Sequence, residues 1–290
     1  MLIKKSSSVL LLSAMMIFLL SFSIVAYAQP SVTTQLCLIL DGSGSVGSSN
    51  WTIIVEGVAS AIEDNLPHDG SVELTVIQFG DGSLYAVVEV SPTVVTLANF
   101  QTIANNVRAI VYDSGPSTPT AHGIYLGWKE MNASQHFSTA ERQLINLVTD
   151  GEPNARNNNA TTNLDGIGGI DHWDDVIAAK NIAVSQGLDE LDMEGIGIST
   201  GSRDWFKDWT LHPQPGHIAP DEGFIPGWIR VVANAEEFAL AIKEKFEAIL
   251  DDAVGGTIIP INGLMTAAPF LLLAVIIVLI SIQRIHKRIQ

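Results

Sequence analysis

The sequence predicts an α/β domain, a doubly wound and mostly parallel sheet with one antiparallel edge strand, followed by a C-terminal transmembrane helix. Three observations carry that expectation. Short, almost wholly apolar runs such as Leu36 to Leu40 and Leu144 to Thr149 suit strands buried on both faces, as in a parallel sheet. Segments with helical periodicity alternate with these runs along the chain, the pattern of strands joined by crossover helices. A single Gly80-Asp-Gly-Ser hairpin signal between two apolar runs predicts one antiparallel pair at an edge.

Taken in order, the first strand covers 35–40 and ends in a Gly/Ser turn. From Ser49 to Leu66, residues Ile53, Ile54, Val58, Ala61 and Ile62 recur at helical spacing. Strands at 72–79 and 84–90 flank the hairpin turn. Helices at 96–110 and 121–131 enclose a Ser/Pro/Thr loop, whose prolines and glycine break the periodicity. The strand at 144–149 stops at Asp150, and the Asn/Gly-rich stretch 153–170 reads as a loop. A helix at 174–186, a strand at 193–199, a short helix at 205–209 and a Pro/Gly-rich loop to Pro226 follow. The strand 228–232 and a helix at 235–251, with Phe238, Ile242, Phe246 and Ile249 on one face, complete the domain.

Charge is segregated along the chain. All 31 acids lie between Asp41 and Asp252 with only ten of the 15 bases, so the middle holds 21 more negative than positive charges. That acidity repels phosphate backbones and argues against a nucleic-acid partner. Lys4 and Lys5 precede an apolar run from Val9 to Val25 and a small-x-small motif, Ala26-Tyr27-Ala28, so 1–28 reads as a secretory signal peptide; an uncleaved anchor is the alternative. Either one exports the region 29–252. A linker, 253–263, leads into an apolar stretch at 264–283, long enough at about 1.5 Å per residue to span a bilayer core of about 30 Å. The basic tail 284–290 stays in the cytoplasm, so the expectation is a single-pass membrane protein with its domain at the cell surface. A cleaved sorting signal at this end is the other reading. Cys37 stands alone and forms no internal disulfide, leaving about 225 residues to be held by their core. Asn50, Asn132 and Asn159 sit in glycosylation triplets, which are compatible with export.

The loop after the first strand, Asp41-Gly-Ser-Gly-Ser-Val-Gly, reads in two ways. Gly42, Gly44 and Gly47 match a dinucleotide fingerprint, while Asp41, Ser43 and Ser45 form an array of oxygen ligands for a hard cation. A pyrophosphate on Gly42 would lie beside the Asp41 carboxylate, and the acid needed at the end of the second strand is misplaced, since Glu63 and Asp64 precede that strand. No nucleotide is therefore expected. Alternate residues of the turn can present Asp41, Ser43 and Ser45 to one point at the carboxyl end of the strand, the ligand crevice of an open α/β sheet. Thr118, in another loop, and Asp150, at the end of a later strand, can add further oxygens. Two carboxylates with neutral hydroxyls suit Mg²⁺, with Mn²⁺ or Ca²⁺ as other occupants.

Asp41-Gly-Ser-Gly-Ser, Ser117-Thr-Pro-Thr-Ala-His-Gly-Ile and Leu147-Val-Thr-Asp-Gly-Glu resemble, in order and spacing, the three metal-site segments of von Willebrand factor type A domains, the family that includes integrin inserted domains. The resemblance spans about 34–252. It implies a metal-ion-dependent adhesion site in which Ser43, Ser45 and Thr118 touch the metal and Asp41 and Asp150 act directly or through waters. An acidic group of a protein partner would fill the remaining position. The long loop after Asp150 and the lack of flanking cysteines depart from many members, so surface specificity does not carry over.

Other constellations are weaker. Thr161, Asn163, Asp165 and Gly166 imitate the start of a calcium loop, but its closing position falls on His172 instead of Glu, so a solvated turn is favoured. Asp171, Asp174 and Asp175 read as helix N-terminal acids. His212 and His217 lack partners for zinc. Trp205, Trp209, Phe224 and Trp228 could form a recognition patch, though core packing is the expected fate. No catalytic motif stands out, so the chain reads as a binding module and not an enzyme. The alternatives are a scaffold subunit of a cell-envelope complex and, third, an extracytoplasmic oxidoreductase.

Overall fold

A computed structural model of the 290-residue chain describes residues 31–80, 86–155 and 172–253. The expected signal peptide, transmembrane helix and cytoplasmic tail, all of the expected hairpin signal after Gly80, and the calcium-like loop with Asp171 lie outside these residues. Among the described residues no helix is long and apolar enough to cross a membrane. The chain divides into two compact units, Met1–Glu247 and Ala248–Gln290, and the account below concerns the first.

The strands are β1 (Thr34–Asp41), β2 (Asp69–Phe79), β3 (Ala86–Thr96), β4 (Arg142–Thr149), β5 (Glu190–Ile196), β6 (His217–Ala219) and β7 (Trp228–Val232). The helices are α1 (Ser48–Asp64), α2 (Phe100–Arg108), α3 (Thr120–Ala133), α4 (His172–Ser185), α5 (Thr200–Trp205) and α6 (Ala235–Ala253). The sheet runs β3-β2-β1-β4-β5-β7-β6. Every pairing is parallel except β2 with β3, so the expected antiparallel edge strand is present. β1 is buried along its whole length, as its apolar run requires. Its neighbours are β2 on one side and β4 on the other, so the strand order reverses there and a crevice opens at the carboxyl ends of β1 and β4.

Alternation divides β1 between two cores. Cys37 and Ile39 face a cluster with Ile124, Trp128, Leu147 and Met193, and α3 presses on this side through two glycines. A Cβ at Gly127 would lie 2.8 Å from Cys37 Sγ, and one at Gly123 would lie 2.9 Å from Ile39 Cγ2. On the other side α1 and α6 approach closely, since a Cβ at Gly57 would lie 2.8 Å from Ala239. The predicted face of α6 is buried at Phe238, Ile242 and Phe246.

Four expectations shift. β3 runs on to Thr96 through Ser91 and Pro92, tolerated because an edge strand with register irregularities against β2 can spare a donor. The helix expected from Thr96 begins at Phe100, because Asn99 Oδ1 accepts from Thr96 N (2.8 Å) and folds a turn there first. β5 covers Glu190–Ile196 and not 193–199; its buried acids hid its start. The short helix at 205–209 is instead α5, capped by Ser199, which accepts from Ser202 N at 3.0 Å, and then a π-helical turn, Phe206–Thr210. β6 went unforeseen, being three residues between prolines at the other edge.

Candidate metal centre

Four of the five expected ligands form one hydrogen-bonded chain at the switch point. Asp41, the last residue of β1, is buried, and its Oδ1 accepts from Ser43 N (2.8 Å). Ser43 Oγ lies 3.1 Å from Ser45 Oγ, and Ser45 Oγ donates to Asp150 Oδ1 (2.9 Å). The turn therefore presents Asp41, Ser43 and Ser45 together, with the carboxylate that follows β4 opposite them. Thr118 is buried and is tied to the same loop by its backbone: its N donates to Asn154 Oδ1 (2.6 Å), and Asn154 N donates to Thr118 O (3.2 Å). Ser45 is exposed and Asp150 partly so, which leaves that end of the chain open to solvent.

The scaffold around these residues was not readable from the motifs. Thr149 Oγ1 donates to Asp41 Oδ2 (2.5 Å), so both carboxylate oxygens of Asp41 are oriented. Tyr112 Oη donates to Ser43 O (2.6 Å) and accepts from Gly47 N (2.9 Å), bracing the turn from both ends. Gly44 N donates to Gly115 O (2.6 Å), and Gln78, beneath Gly42, donates to Val111 O and accepts from Asp113 N. A Cβ at Gly42 would press on the Gln78 side chain, so a larger residue there would have to displace Gln78 from its place beneath the turn. Tyr112 and Gln78 carry no spacing signal. Thr149 does, being the residue before Asp150.

The electrostatics favour a cation. Burial pushes the Asp41 carboxyl up to about 6, against the hydrogen bonds from Thr149 and Ser43 that stabilise its charge. Asp150 is raised as well, chiefly by burial. Neither acid forms an ion pair with Lys, Arg or His among the described residues. Two converging carboxylates without a counter-charge, lined by hydroxyls, are a donor set for a hard divalent ion. Among the described residues no group of three or more His, Cys, Asp or Glu is placed to hold a metal ion as a zinc-type cluster would.

The secondary constellations resolve separately. Asp174 and Asp175 lie in the first turn of α4, as expected of helix N-terminal acids. His212 pairs through its backbone with Leu191, and His217 lies in β6 with Glu222 3.9 Å away. The aromatic patch divides. Trp228 is buried with Phe224 edge-on to it at 4.9 Å, while Trp209 is 56% exposed. Trp173, Trp205 and Trp209 line a surface recess of about 490 Å³.

The model of the von Willebrand factor type A domain matches residues 35–206. A comparison with curated protein sequences finds none that matches. Among solved structures, the chain is similar to the pilus adhesin SpaC of Lactobacillus rhamnosus GG (TM-score 0.57, 16% identity, 76% of this chain and 30% of that one). A variant of the PilB minor pilin of Streptococcus sanguinis aligns with TM-score 0.58 and 14% identity, over 80% of this chain and 65% of that one. The vWF domain of the type V pili tip protein Mfa5 of Porphyromonas gingivalis aligns with TM-score 0.56 and 12% identity, over 79% of this chain and 99% of that one. The chain thus spans about a third of the adhesin and about two thirds of the pilin. At these identities the structural likeness speaks to the fold alone. With the three motifs meeting at its switch point and the family model covering more than half of its length, the chain belongs to the von Willebrand factor type A domain family.

Proposed function

We propose that this protein is an exported, membrane-anchored binding module that captures an acidic group of a protein partner through a divalent metal held by Asp41, Ser43, Ser45, Thr118 and Asp150. The observation that carries this reading is the hydrogen-bonded chain from Asp41 to Asp150, with two carboxylates that have no cationic partner among the described residues at the solvent-facing end of the sheet. Mg²⁺ is the best match to oxygen donors of which three are neutral, with Mn²⁺ and Ca²⁺ as the other hard ions. Two carboxylates leave such an ion net electrophilic, so it attracts a third carboxylate from outside. The likeness to a pilus adhesin supports an adhesive role at the cell surface. The likeness to a minor pilin supports a second reading, in which the same site docks a neighbouring subunit of an envelope assembly.

Calorimetric titration of Mg²⁺ and Mn²⁺ into the full chain and its Asp41→Ala variant tests the site. Saturable binding is expected in the wild type and none in the variant, with both folded. Equal binding by the two proteins would remove Asp41 from the site. Recovery of the chain from membranes with a stable partner that chelator releases would favour the docking reading over reversible capture of an external surface.

A further inference from the structure

Beneath α6 the sheet carries a buried polar patch separate from the metal centre. In β4 and β5, Arg142, Asn146, Glu190, Asp192 and Glu194 alternate with Ile145, Leu147, Leu191 and Met193, and so share the opposite face of the sheet. Register sets Asn146 beside Asp192 and Val148 beside Glu194. Arg142 and Glu190 pair with each other at the margin. The inner set is different. Asn146, Asp192, Glu194 and Lys245 of α6 are each 0% exposed. Glu194 Oε2 accepts from Asn146 Nδ2 and lies 3.7 Å from Lys245 Nζ, so amine and carboxamide meet on one carboxylate oxygen. The Trp228 ring closes the other side, its centroid 4.6 Å from Nζ. Four polar atoms in this buried cluster have no hydrogen-bond partner among the described residues: Lys245 Nζ, Asn146 Oδ1, Asp192 Oδ2 and Glu194 Oε1.

Buried polar atoms are almost always hydrogen bonded, and an ammonium group placed so poorly is unfavourable. A covalent bond would resolve it. We propose that Lys245 and Asn146 join through an intramolecular amide bond between Nζ and Cγ, formed with release of ammonia and assisted by Glu194. Burial draws the Lys245 amine down from its ordinary value and pushes the Glu194 and Asp192 carboxyls up to about 7, both in the direction of a neutral pair, and the proposed reaction begins with the ammonium proton on Glu194 and the amine free as the nucleophile. The Nζ lone pair attacks Asn146 Cγ while the carbonyl π pair moves onto Oδ1. Glu194 carries a proton from Nζ to Nδ2, the Cγ–Nδ2 bond breaks with its electron pair on nitrogen, and the carbonyl re-forms as ammonia leaves. An amine and a carboxamide thus give a secondary amide and ammonia, with no change of oxidation state and no cofactor. The amide keeps one N–H for Glu194 Oε2 and offers Oδ1 to a protonated Asp192, which gives partners to Lys245 Nζ, Asn146 Oδ1 and Asp192 Oδ2. The bond staples α6 to the centre of the sheet in an exported domain whose lone cysteine cannot form an internal disulfide.

Peptide mapping of the unfolded, digested full chain tests the proposal. The expected product is one branched peptide joining the segments that contain Asn146 and Lys245, lighter than the two together by one ammonia. Trypsin should fail to cut after Lys245. In Lys245→Met and Glu194→Gln the two segments should separate, with the circular dichroism spectrum showing whether each variant is folded. A wild-type chain in which Lys245 is cleaved by trypsin and labelled by an amine reagent would overturn the proposal, and this arm decides the matter even if neither variant folds. A branch lighter by one water and mapping to Asp192 would overturn the assignment to Asn146.

Discussion

Asp41 sits where burial and charge oppose each other most directly. The residue is 2% exposed, and its two carboxylate oxygens are held by a backbone N–H and by the Thr149 hydroxyl. Hydrogen bonds that orient a ligand carboxylate act on the metal through it, and removing one typically costs about 10–100-fold in metal affinity. Thr149→Val keeps the shape and the β-branch that suits β4 but removes the donor. Calorimetry should therefore show a Mg²⁺ dissociation constant raised by about 10–100-fold, with the circular dichroism spectrum unchanged. An unaltered constant would mean that Ser43 N alone sets the carboxylate. That these residues would meet was legible because Asp41, Ser43 and Ser45 alternate along a turn and Asp150 ends a buried run. Their supports were not, since Tyr112 and Asn154 find their partners 69 and 36 residues away, contacts that only the folded chain creates.

At the scale of elements, α3 shows how the sequence builds the platform beneath the site. Its glycines let the helix lie directly on β1 and β2, where Gly127 faces Cys37 and Gly123 faces Ile39 and Phe79. In isolation Gly→Ala would favour the helix by about 1 kcal/mol. Here the added methyl would sit 2.8 Å from Cys37 Sγ and 3.1 Å from Ile39 Cδ1, inside a packed core. Overpacking of this kind costs about 1–3 kcal/mol, so Gly127→Ala is expected to be neutral at best and otherwise destabilising by up to about 2 kcal/mol. The midpoint of urea unfolding measures it, and a clear rise would show that α3 can back away from the sheet. Apolar periodicity made β1, β4, β7 and the helices readable to within a few residues at most ends. It failed where tertiary partners rewrite local character: β5 begins at Glu190 because Arg142 neutralises that acid, and β3 passes Pro92 because it lies at an edge.

Across the whole molecule, the buried acids set an unusual response to pH. Asp192 and Glu194 are both pushed up to about 7 by burial, partly opposed by Lys245, from ordinary values of 3.8 and 4.5. A carboxyl raised on folding holds its proton more tightly in the native state than in the unfolded chain. Its stabilising contribution is complete below about pH 4 and is lost as pH rises through about 7. Asp41, raised to about 6, adds in the same direction when no metal is bound. Glu56 and Glu63 act oppositely, because Arg108 lowers both, but that pairing is solvent-screened and small. Lys245, lowered by burial, also opposes the trend as a free amine, and it ceases to titrate once its nitrogen is in an amide. Urea unfolding in the presence of chelator should therefore give a lower midpoint at pH 7.5 than at pH 5, with a similar slope. Asp192→Asn should flatten that difference, and saturating Mg²⁺ should restore part of the loss at pH 7.5 by binding only the native state. A midpoint that rises from pH 5 to 7.5 in chelator would mean that the acids under α6 ionise as they do in water, and that the pocket there is wet.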